Sequence, residues 1–251
     1  VYEPFIRKAA GFGVASIKHD KERYEHKYEY CDLLITGSGP SGLASAYAAA
    51  KNGAREILAE DKPRFGGSLL TSEVNIGNQS GKEWAENIIT ELKKMPNVIV
   101  KNRAQVFGYY DHNMLVMSER VSDHLPKSKK YSPKQRLWYI RAKEVVISSG
   151  SIERPLVFGN NDTPGVVLSS AAKEYLKIYG VLVGKKPIIF TNNDSGYETA
   201  IEFKKNGIDP IILDTRKEAN SEIIKEAKEL NIIIKFSYVV VAAKGYKKVN
   251  S

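Results

Sequence analysis

The run Cys31-Asp32-Leu33-Leu34-Ile35-Thr36-Gly37-Ser38-Gly39-Pro40-Ser41-Gly42-Leu43-Ala44-Ser45-Ala46, continued to Glu60, decides the fold. Residues 31–35 are a short apolar run with the character of a buried strand. Gly37, Gly39 and Gly42 fit G-x-G-x-x-G, a pattern that is weak alone and specific when it follows a strand and opens a helix. The alanine-rich stretch 41–52 supplies that helix, and Gly53 closes it. Residues 55–59 read as a second strand ending at Glu60. Strand, turn, helix and strand within about 30 residues make a βαβ unit.

The glycine spacing has a physical purpose. Gly37 permits the tight turn, Gly39 lets the backbone approach a pyrophosphate with no Cβ in the way, and Gly42 lets the helix lie close to the strand. The helix N-terminus, with Ser38, Pro40 and Ser41 in its turn, offers free N–H groups and a positive dipole end to phosphates. Glu60 can accept both hydroxyls of an adenosine ribose and would repel a 2′-phosphate, which favours NAD or FAD over NADP. Asp61 is adjacent, with its side chain expected to point the other way. Arg64 and the run Gly66-Gly67-Ser68 can return the chain over a pyrophosphate, Arg64 neutralising its charge. Plainer readings stand beside these: a glycine-rich turn without ligand, a solvated acid, an ordinary loop.

Outward from this unit, residues 1–30 are polar and charged, broken by Pro4, Gly11 and Gly13, and read as an arm with some packed aromatic residues. Residues 80–95 carry Trp84, Ile88, Ile89 and Leu92 at helical spacing. Residues 98–100 are a strand, and 105–110, 114–119 and 136–142 form a three-stranded antiparallel excursion. Residues 144–148 are a further parallel strand ending in Ser149-Gly150. The pattern then restarts: strand 187–191, helix 195–206 stopped by Gly207, strand 210–214, helix 220–230, strand 232–236 and the start of a hairpin at 238–247. In this second array Thr191, Asn193 and Gly196 stand at the three glycine positions. The side chains of the first two should obstruct a pyrophosphate. The expected fold is therefore α/β: a Rossmann-like FAD/NAD(P)-binding domain followed by a second, truncated nucleotide-binding-like βαβ domain. The expected divisions are an arm at 1–30, a dinucleotide-binding domain at 31–155 with its excursion at about 105–142, a connection at 156–186 stiffened by Pro155 and Pro164, and the second domain at 187–251.

Composition narrows the function. With 251 residues, 42% of them hydrophobic, the chain has enough apolar content for a core and is not disordered. No run approaches the roughly 18 apolar residues of a membrane span. Cys31 is the single cysteine, which excludes an internal disulfide and a cysteine-cluster metal site. His19, His26, His112 and His124 lack metal-ligand spacing; His112 reads as a hydrogen-bonded structural residue, with a proton carrier as the alternative. Ser38 and Ser195 read as caps or phosphate contacts. No catalytic residue is assigned. Lys and Arg exceed Asp and Glu by 38 to 29, a net charge of +9. The densest basic cluster, Lys127, Lys129, Lys130, Lys134 and Arg136, sits between two strand-like runs with Pro126 and Pro133 in it, and reads as a solvated loop. It lacks the interleaved aromatics of a single-strand binding face, so no nucleic acid is expected. The chain starts at Val1 without a visible signal peptide, and a piece of a longer cytoplasmic protein is expected.

Together these features resemble the two-dinucleotide-binding-domain flavoproteins. A narrower resemblance is to the alpha subunits of heterotetrameric sarcosine oxidases. It is carried by Tyr2-Glu3-Pro4-Phe5-Ile6-Arg7-Lys8-Ala9-Ala10-Gly11, Phe107-Gly108-Tyr109-Tyr110-Asp111-His112-Asn113, Arg136-Leu137-Trp138, Ile152-Glu153-Arg154-Pro155-Leu156-Val157-Phe158, Asn160-Asn161-Asp162-Thr163-Pro164-Gly165 and Thr191-Asn192-Asn193-Asp194-Ser195. The resemblance implies an enzyme that oxidises sarcosine to glycine with oxygen, makes hydrogen peroxide and passes the one-carbon unit to tetrahydrofolate. It implies beta, gamma and delta partner subunits, with FAD held by beta, and a covalent FMN near the alpha–beta interface. It implies a non-covalent NAD in this chain, held by Gly37, Gly39, Gly42 and Glu60, and less directly by Arg64, Gly67, Ser68, Val106 and Gly150. Val106 would offer backbone groups to adenine. An upstream iron–sulfur-protein-like segment, a downstream folate-binding domain and the return of the chain to the first domain are expected beyond this stretch. Ser38 and Ser41 stand where the family commonly has alanine, and Ser148-Ser149-Gly150 replaces Ala-Thr-Gly. Two alternatives remain: an amine or opine dehydrogenase subunit holding FAD in the same fingerprint, and an assembly module in which the nucleotide is structural.

Overall fold

A mixed six-stranded sheet and a smaller parallel sheet organise the chain in the computed structural model, which describes residues 2–13, 16–126 and 131–250. Val1 and the basic residues Lys127, Lys129 and Lys130 lie outside these. The elements run α1 (Glu3–Ala9), β1 (Tyr24–Thr36), α2 (Pro40–Lys51), β2 (Glu56–Ala59), β3 (Asn75–Ile76), β4 (Gln79–Ser80), α3 (Gly81–Leu92), β5 (Val98–Lys101), β6 (Ala104–Tyr110), β7 (Met114–Arg120) and β8 (Gln135–Ile147). The second part holds α4 (Ser169–Tyr179), β9 (Ile188–Thr191), α5 (Ser195–Lys205), β10 (Ile211–Asp214), α6 (Glu222–Glu229) and β11 (Ile233–Phe236). The first sheet has the order β5-β2-β1-β8-β7-β6 and the second β11-β10-β9. The α/β class and the second, smaller parallel sheet agree with the expectation from the two βαβ arrays.

Helices α2 and α3 cover one face of the first sheet. Leu43, Ala46 and Ala50 of α2 and Ala85, Ile88, Ile89 and Leu92 of α3 bury against Ile35 and Leu58. Small alanines on α2 let it sit close to the strands, which the turn below requires. Helix α3 starts at Ser80, whose hydroxyl caps Glu83 N–H while the Glu83 carboxylate accepts Ser80 N–H, a complete capping box.

The other face is covered by the sheet itself. Cys31, Leu34, Ile57 and Ala59 of the parallel half form one core with Ala104, Leu115, Met117, Trp138, Ile140 and Ala142 of the antiparallel half. Lys101 of β5 reaches Glu119 of β7 at 3.0 Å. In a flat sheet those strands would be roughly 19 Å apart, so the sheet folds back over its own core.

This folding changes three of the expected elements. The strand expected to open at Cys31 begins at Tyr24, inside the stretch read as an arm, and pairs in parallel with β8 from Tyr24↔Gln135 to Thr36↔Ile147. The strands expected at 136–142 and 144–148 are one strand, β8, which pairs with β7 in antiparallel and with β1 in parallel. The excursion is thus the outer part of the main sheet. Arg136, counted with the basic loop, lies on β8 and bonds Glu25 and Glu119. Its neighbour Lys134 faces Glu22 at 3.5 Å.

In the second part, α4 falls within the stretch read as a connection, and its Ala172 packs with Tyr197, Ala200, Ile212, Ile224 and Ala227. Where the start of a hairpin is expected at 238–247, the tail makes one antiparallel bridge, Gly245↔Val249, and Ala242 bridges Gly159 in parallel. Ion pairs Lys62–Glu174, Lys177–Glu73 and Lys205–Glu73 join the two parts.

Candidate dinucleotide site

The fingerprint turn lies at the C-terminal end of β1, where Thr36 hands over to Gly37 at φ +98°. That left-handed conformation suits glycine. A Cβ on Gly37 would stand 2.3 Å from the Ser148 carbonyl, and one on Gly42 would stand 2.0 Å from the Gly37 carbonyl. Both glycines are therefore required by packing alone. Gly39 differs: a Cβ there would meet nothing within 4 Å. No packing reason holds that position to glycine, and the space in front of it is open at the start of α2. No side chain caps this helix, and Pro40 occupies its first turn. The first-turn N–H groups thus keep their capacity for an anion.

Three further segments meet the turn. Gly67, at φ +53°, lies so close that its Cβ would be 2.9 Å from Gly39 Cα. Gly66 N–H donates to the Ser38 carbonyl at 3.0 Å. Behind the turn, the Ser148 hydroxyl lies 2.9 Å from both the Thr36 and the Gly37 carbonyl oxygens. The Ser-Ser-Gly run points to Gly150 by sequence and leaves Ser148 unmarked; its polar side chain at the end of an apolar strand is the signal that could have found it.

Glu60 closes the site on the β2 side and is 6% exposed. Its Oε1 accepts Lys62 N–H at 3.0 Å and its Oε2 accepts Ser38 N–H at 2.9 Å. The Ser38 hydroxyl also donates to Oε2. Burial raises the Glu60 carboxyl above its usual range, Asp61 beside it adds to the rise, and the bonds from Ser38 and Lys62 oppose it. The loop after Glu60 is pinned by Arg103 N–H on the Lys62 carbonyl at 3.1 Å and by the Asn102 amide on the Pro63 carbonyl at 2.7 Å.

The structure therefore brings together Gly37, Ser38, Gly39, Gly42, Glu60 and Gly67. Pro40, Ser41, Asp61, Arg64 and Ser68 are exposed around them. Arg64 has no hydrogen bond or ion pair among the described residues. Val106 packs its side chain on the core between the two halves of the sheet, and Gly150 is exposed just past Ser148 at φ +72°. His112 forms the turn between β6 and β7 at φ +57°, where its carbonyl accepts from Arg141 at 3.3 Å.

The corresponding turn of the second part is filled by its own side chains. Thr191 Oγ1 bonds the Asn193 carbonyl at 2.9 Å, and Asn193 Oδ1 accepts the Ser195 N–H at 2.9 Å and its hydroxyl at 2.7 Å. Asp214, the acid at the end of β10, is fully buried. It accepts from Tyr197 at 2.7 Å and from the Arg216 guanidinium at 2.7 Å, while Arg216 also holds Asp194 at 2.8 Å. Burial works against the Asp214 charge, and Arg216 and Tyr197 outweigh it, keeping the carboxyl below its usual range. The acid that would face a ribose has an internal counter-ion.

A family of FAD dependent oxidoreductases matches residues 32–124. Over 252 aligned residues the chain is 41% identical to the sarcosine oxidase alpha chain of Rhizobium meliloti (strain 1021), covering 100% of this chain and 25% of that protein. This chain is a homologue of the alpha chain of sarcosine oxidase. The sarcosine oxidase alpha chain of Corynebacterium sp. (strain U-96) is 35% identical over 84% of this chain and 22% of its own length. An opine oxidase subunit of Agrobacterium tumefaciens (strain Ach5) is 25% identical over 64% of this chain and 33% of its own. The chain thus spans about a quarter of the length of the sarcosine oxidase alpha chains it matches. Among solved structures, L-proline dehydrogenase from P. horikoshii superposes with a TM-score of 0.62 at 23% identity, over 81% of this chain and 39% of that one. Thioredoxin reductase of T. acidophilum superposes with a TM-score of 0.62 at 17% identity, over 88% and 68%. These two likenesses establish the fold, and the FAD dependent oxidoreductase match over residues 32–124 marks it as a Rossmann-like domain of the FAD/NAD(P)-binding type.

Proposed function

We propose that this chain binds one NAD, non-covalently, in the turn of its first βαβ unit, as the nucleotide-binding part of a sarcosine-oxidase-like alpha subunit. The observation that carries the reading is the open space at Gly39. It lies between two glycines fixed by packing and is flanked by an uncapped helix N-terminus and a buried carboxylate. In this arrangement Gly37 to Gly42 would take the pyrophosphate, Glu60 an adenosine ribose hydroxyl, Gly67 and Ser68 the far side of the phosphates, and Val106 the adenine through its backbone. Asp61 and Arg64 would lie at the rim, with Gly150 at the end of β8. NAD would supply binding energy and order to this domain, and no residue of the chain is assigned a catalytic role. The enzyme it belongs to would demethylate sarcosine to glycine with oxygen and tetrahydrofolate, in company with beta, gamma and delta subunits, with FAD and FMN held elsewhere in the complex. The homology to the alpha chain of sarcosine oxidase supports this choice.

The match to FAD dependent oxidoreductases on residues 32–124 favours a second reading, FAD in the same turn of an amine or opine dehydrogenase subunit. Both dinucleotides present the same ADP half to the same glycines and acid. Acid denaturation of the purified protein, followed by mass and visible absorbance of the released nucleotide, separates them. Colourless NAD is expected; yellow FAD would overturn the choice of cofactor and leave the site intact.

A further inference from the structure

Ser38 is fully buried, and its hydroxyl does not cap α2. It sits where three segments meet: the fingerprint turn, the end of β2 and the Gly66-Gly67 loop. The hydroxyl donates to Glu60 Oε2 and lies 3.3 Å from Gly66 N–H, for which it is the acceptor. The Ser38 backbone N–H adds a second bond to the same carboxylate oxygen at 2.9 Å. An ionised carboxylate offers about four acceptor positions. Ser38 fills two of them on Oε2, and Lys62 N–H fills one on Oε1. One position remains, for a ligand hydroxyl or for Asp61, whose carboxyl lies within hydrogen-bond reach of Glu60.

We infer that Ser38 is a positioning residue of the dinucleotide site: its hydroxyl orients the Glu60 carboxyl and favours its charged form, so that Glu60 can accept an adenosine ribose hydroxyl. The inference rests on the reading of Glu60 as the ribose acceptor. The need for such a residue is physical. Glu60 is buried, and burial together with Asp61 disfavours its charge. No ion pair to Glu60 is formed among the described residues. The donors that oppose protonation are Ser38 O–H, Ser38 N–H and Lys62 N–H, and only the first is a side chain. Removing that hydroxyl also leaves Gly66 N–H with only the Ser38 carbonyl, loosening the loop that brings Gly67 to the pyrophosphate side.

The test is NAD titration by calorimetry from pH 5 to 9 on the full chain, for the unaltered protein, Ser38→Ala, Glu60→Gln and the double variant. A hydrogen bond to a charged acceptor predicts about a tenfold loss of affinity for Ser38→Ala at neutral pH. Its acid limb of binding should move to higher pH, because Glu60 then protonates more readily. In the Glu60→Gln background, Ser38→Ala should cost far less, since the charge it serves is gone. Equal losses in both backgrounds, an unmoved acid limb, or tighter binding by Ser38→Ala would overturn the role of Ser38 while leaving Glu60 as a ligand. Unchanged affinity for Glu60→Gln would overturn both the role of Ser38 and the reading of Glu60. Should Ser38→Ala fail to fold, Ser38→Cys, which keeps the size but offers only a weak donor, replaces it. Lost affinity with the acid limb moved to higher pH is expected, and binding like that of the unaltered protein would overturn the role of Ser38.

Discussion

Single residues show where the sequence speaks and where it stays silent. Gly37, Gly39 and Gly42 are equal letters in a motif, yet only the three-dimensional packing separates the two it demands from the one that faces open space. Glu56 is invisible in the sequence, because a charged residue opening a strand normally reaches water. Here it is paired in the sheet between Leu33 and Val98, fully buried, with no hydrogen-bond partner on either carboxylate oxygen among the described residues. Burial alone pushes its carboxyl up to about 8. Below the unfolded value of 4.5 both states are protonated and Glu56 carries no ionisation penalty. Between there and about 8 the unfolded chain ionises first, so stability falls as pH rises, by about 1.4 kcal/mol per unit, and levels off above. Urea unfolding of the unaltered protein and Glu56→Gln across pH 5–9 should therefore give curves that diverge with rising pH. Parallel curves would show that Glu56 is ionised in the folded chain.

At the scale of elements, the βαβ units are legible because their signals are local: an apolar run, a glycine turn, a helix stop. The long pairing of β1 with β8 is not. Glu25, Lys27 and Glu29 point inward and Tyr24, His26, Tyr28 and Tyr30 outward, an alternation disguised by charge. The partners that stabilise it lie far along the chain, as with Arg136 on Glu25, Lys27 over the Trp138 ring at 4.2 Å and Tyr28 stacked on Tyr139 at 4.9 Å. Helix α4 escapes a sequence reading for a similar reason, since its apolar face makes sense only against α5 and the second sheet. Glu119 is the joint of the folded sheet. Burial works to raise its carboxyl, and Lys101, Trp138 and Arg136 outweigh it and hold it below the usual range. Its Oε2 accepts the Trp138 indole at 2.7 Å and Arg136 at 3.0 Å, and its Oε1 accepts Lys101 at 3.0 Å. Glu119→Gln would leave Lys101 without its counter-charge and Arg136 with Glu25 alone, and should destabilise the chain by about 3 kcal/mol in urea unfolding. A loss below about 1 kcal/mol would mean the cluster behaves as a surface ion pair.

The whole molecule holds two copies of one architecture and gives them different turns. The first keeps an open glycine, an uncapped helix and a buried carboxylate with acceptor capacity to spare. The second fills the same places with Thr191, Asn193 and Arg216. The sequence already marks that asymmetry at Thr191 and Asn193, but Arg216 lies beyond any fingerprint and needs the fold to bring it onto Asp214. One dinucleotide per chain, bound in the first unit, is therefore expected. Calorimetric titration of NAD into the protein and into Gly39→Val tests this directly, with thermal melts alongside. A Cβ at Gly39 meets nothing, so the variant should still fold, losing about 1 kcal/mol at this N-cap, while the side chain would stand where the pyrophosphate comes. One NAD per chain, lost in a folded Gly39→Val protein, is the predicted result. Two per chain, or binding that survives the valine, would contradict it.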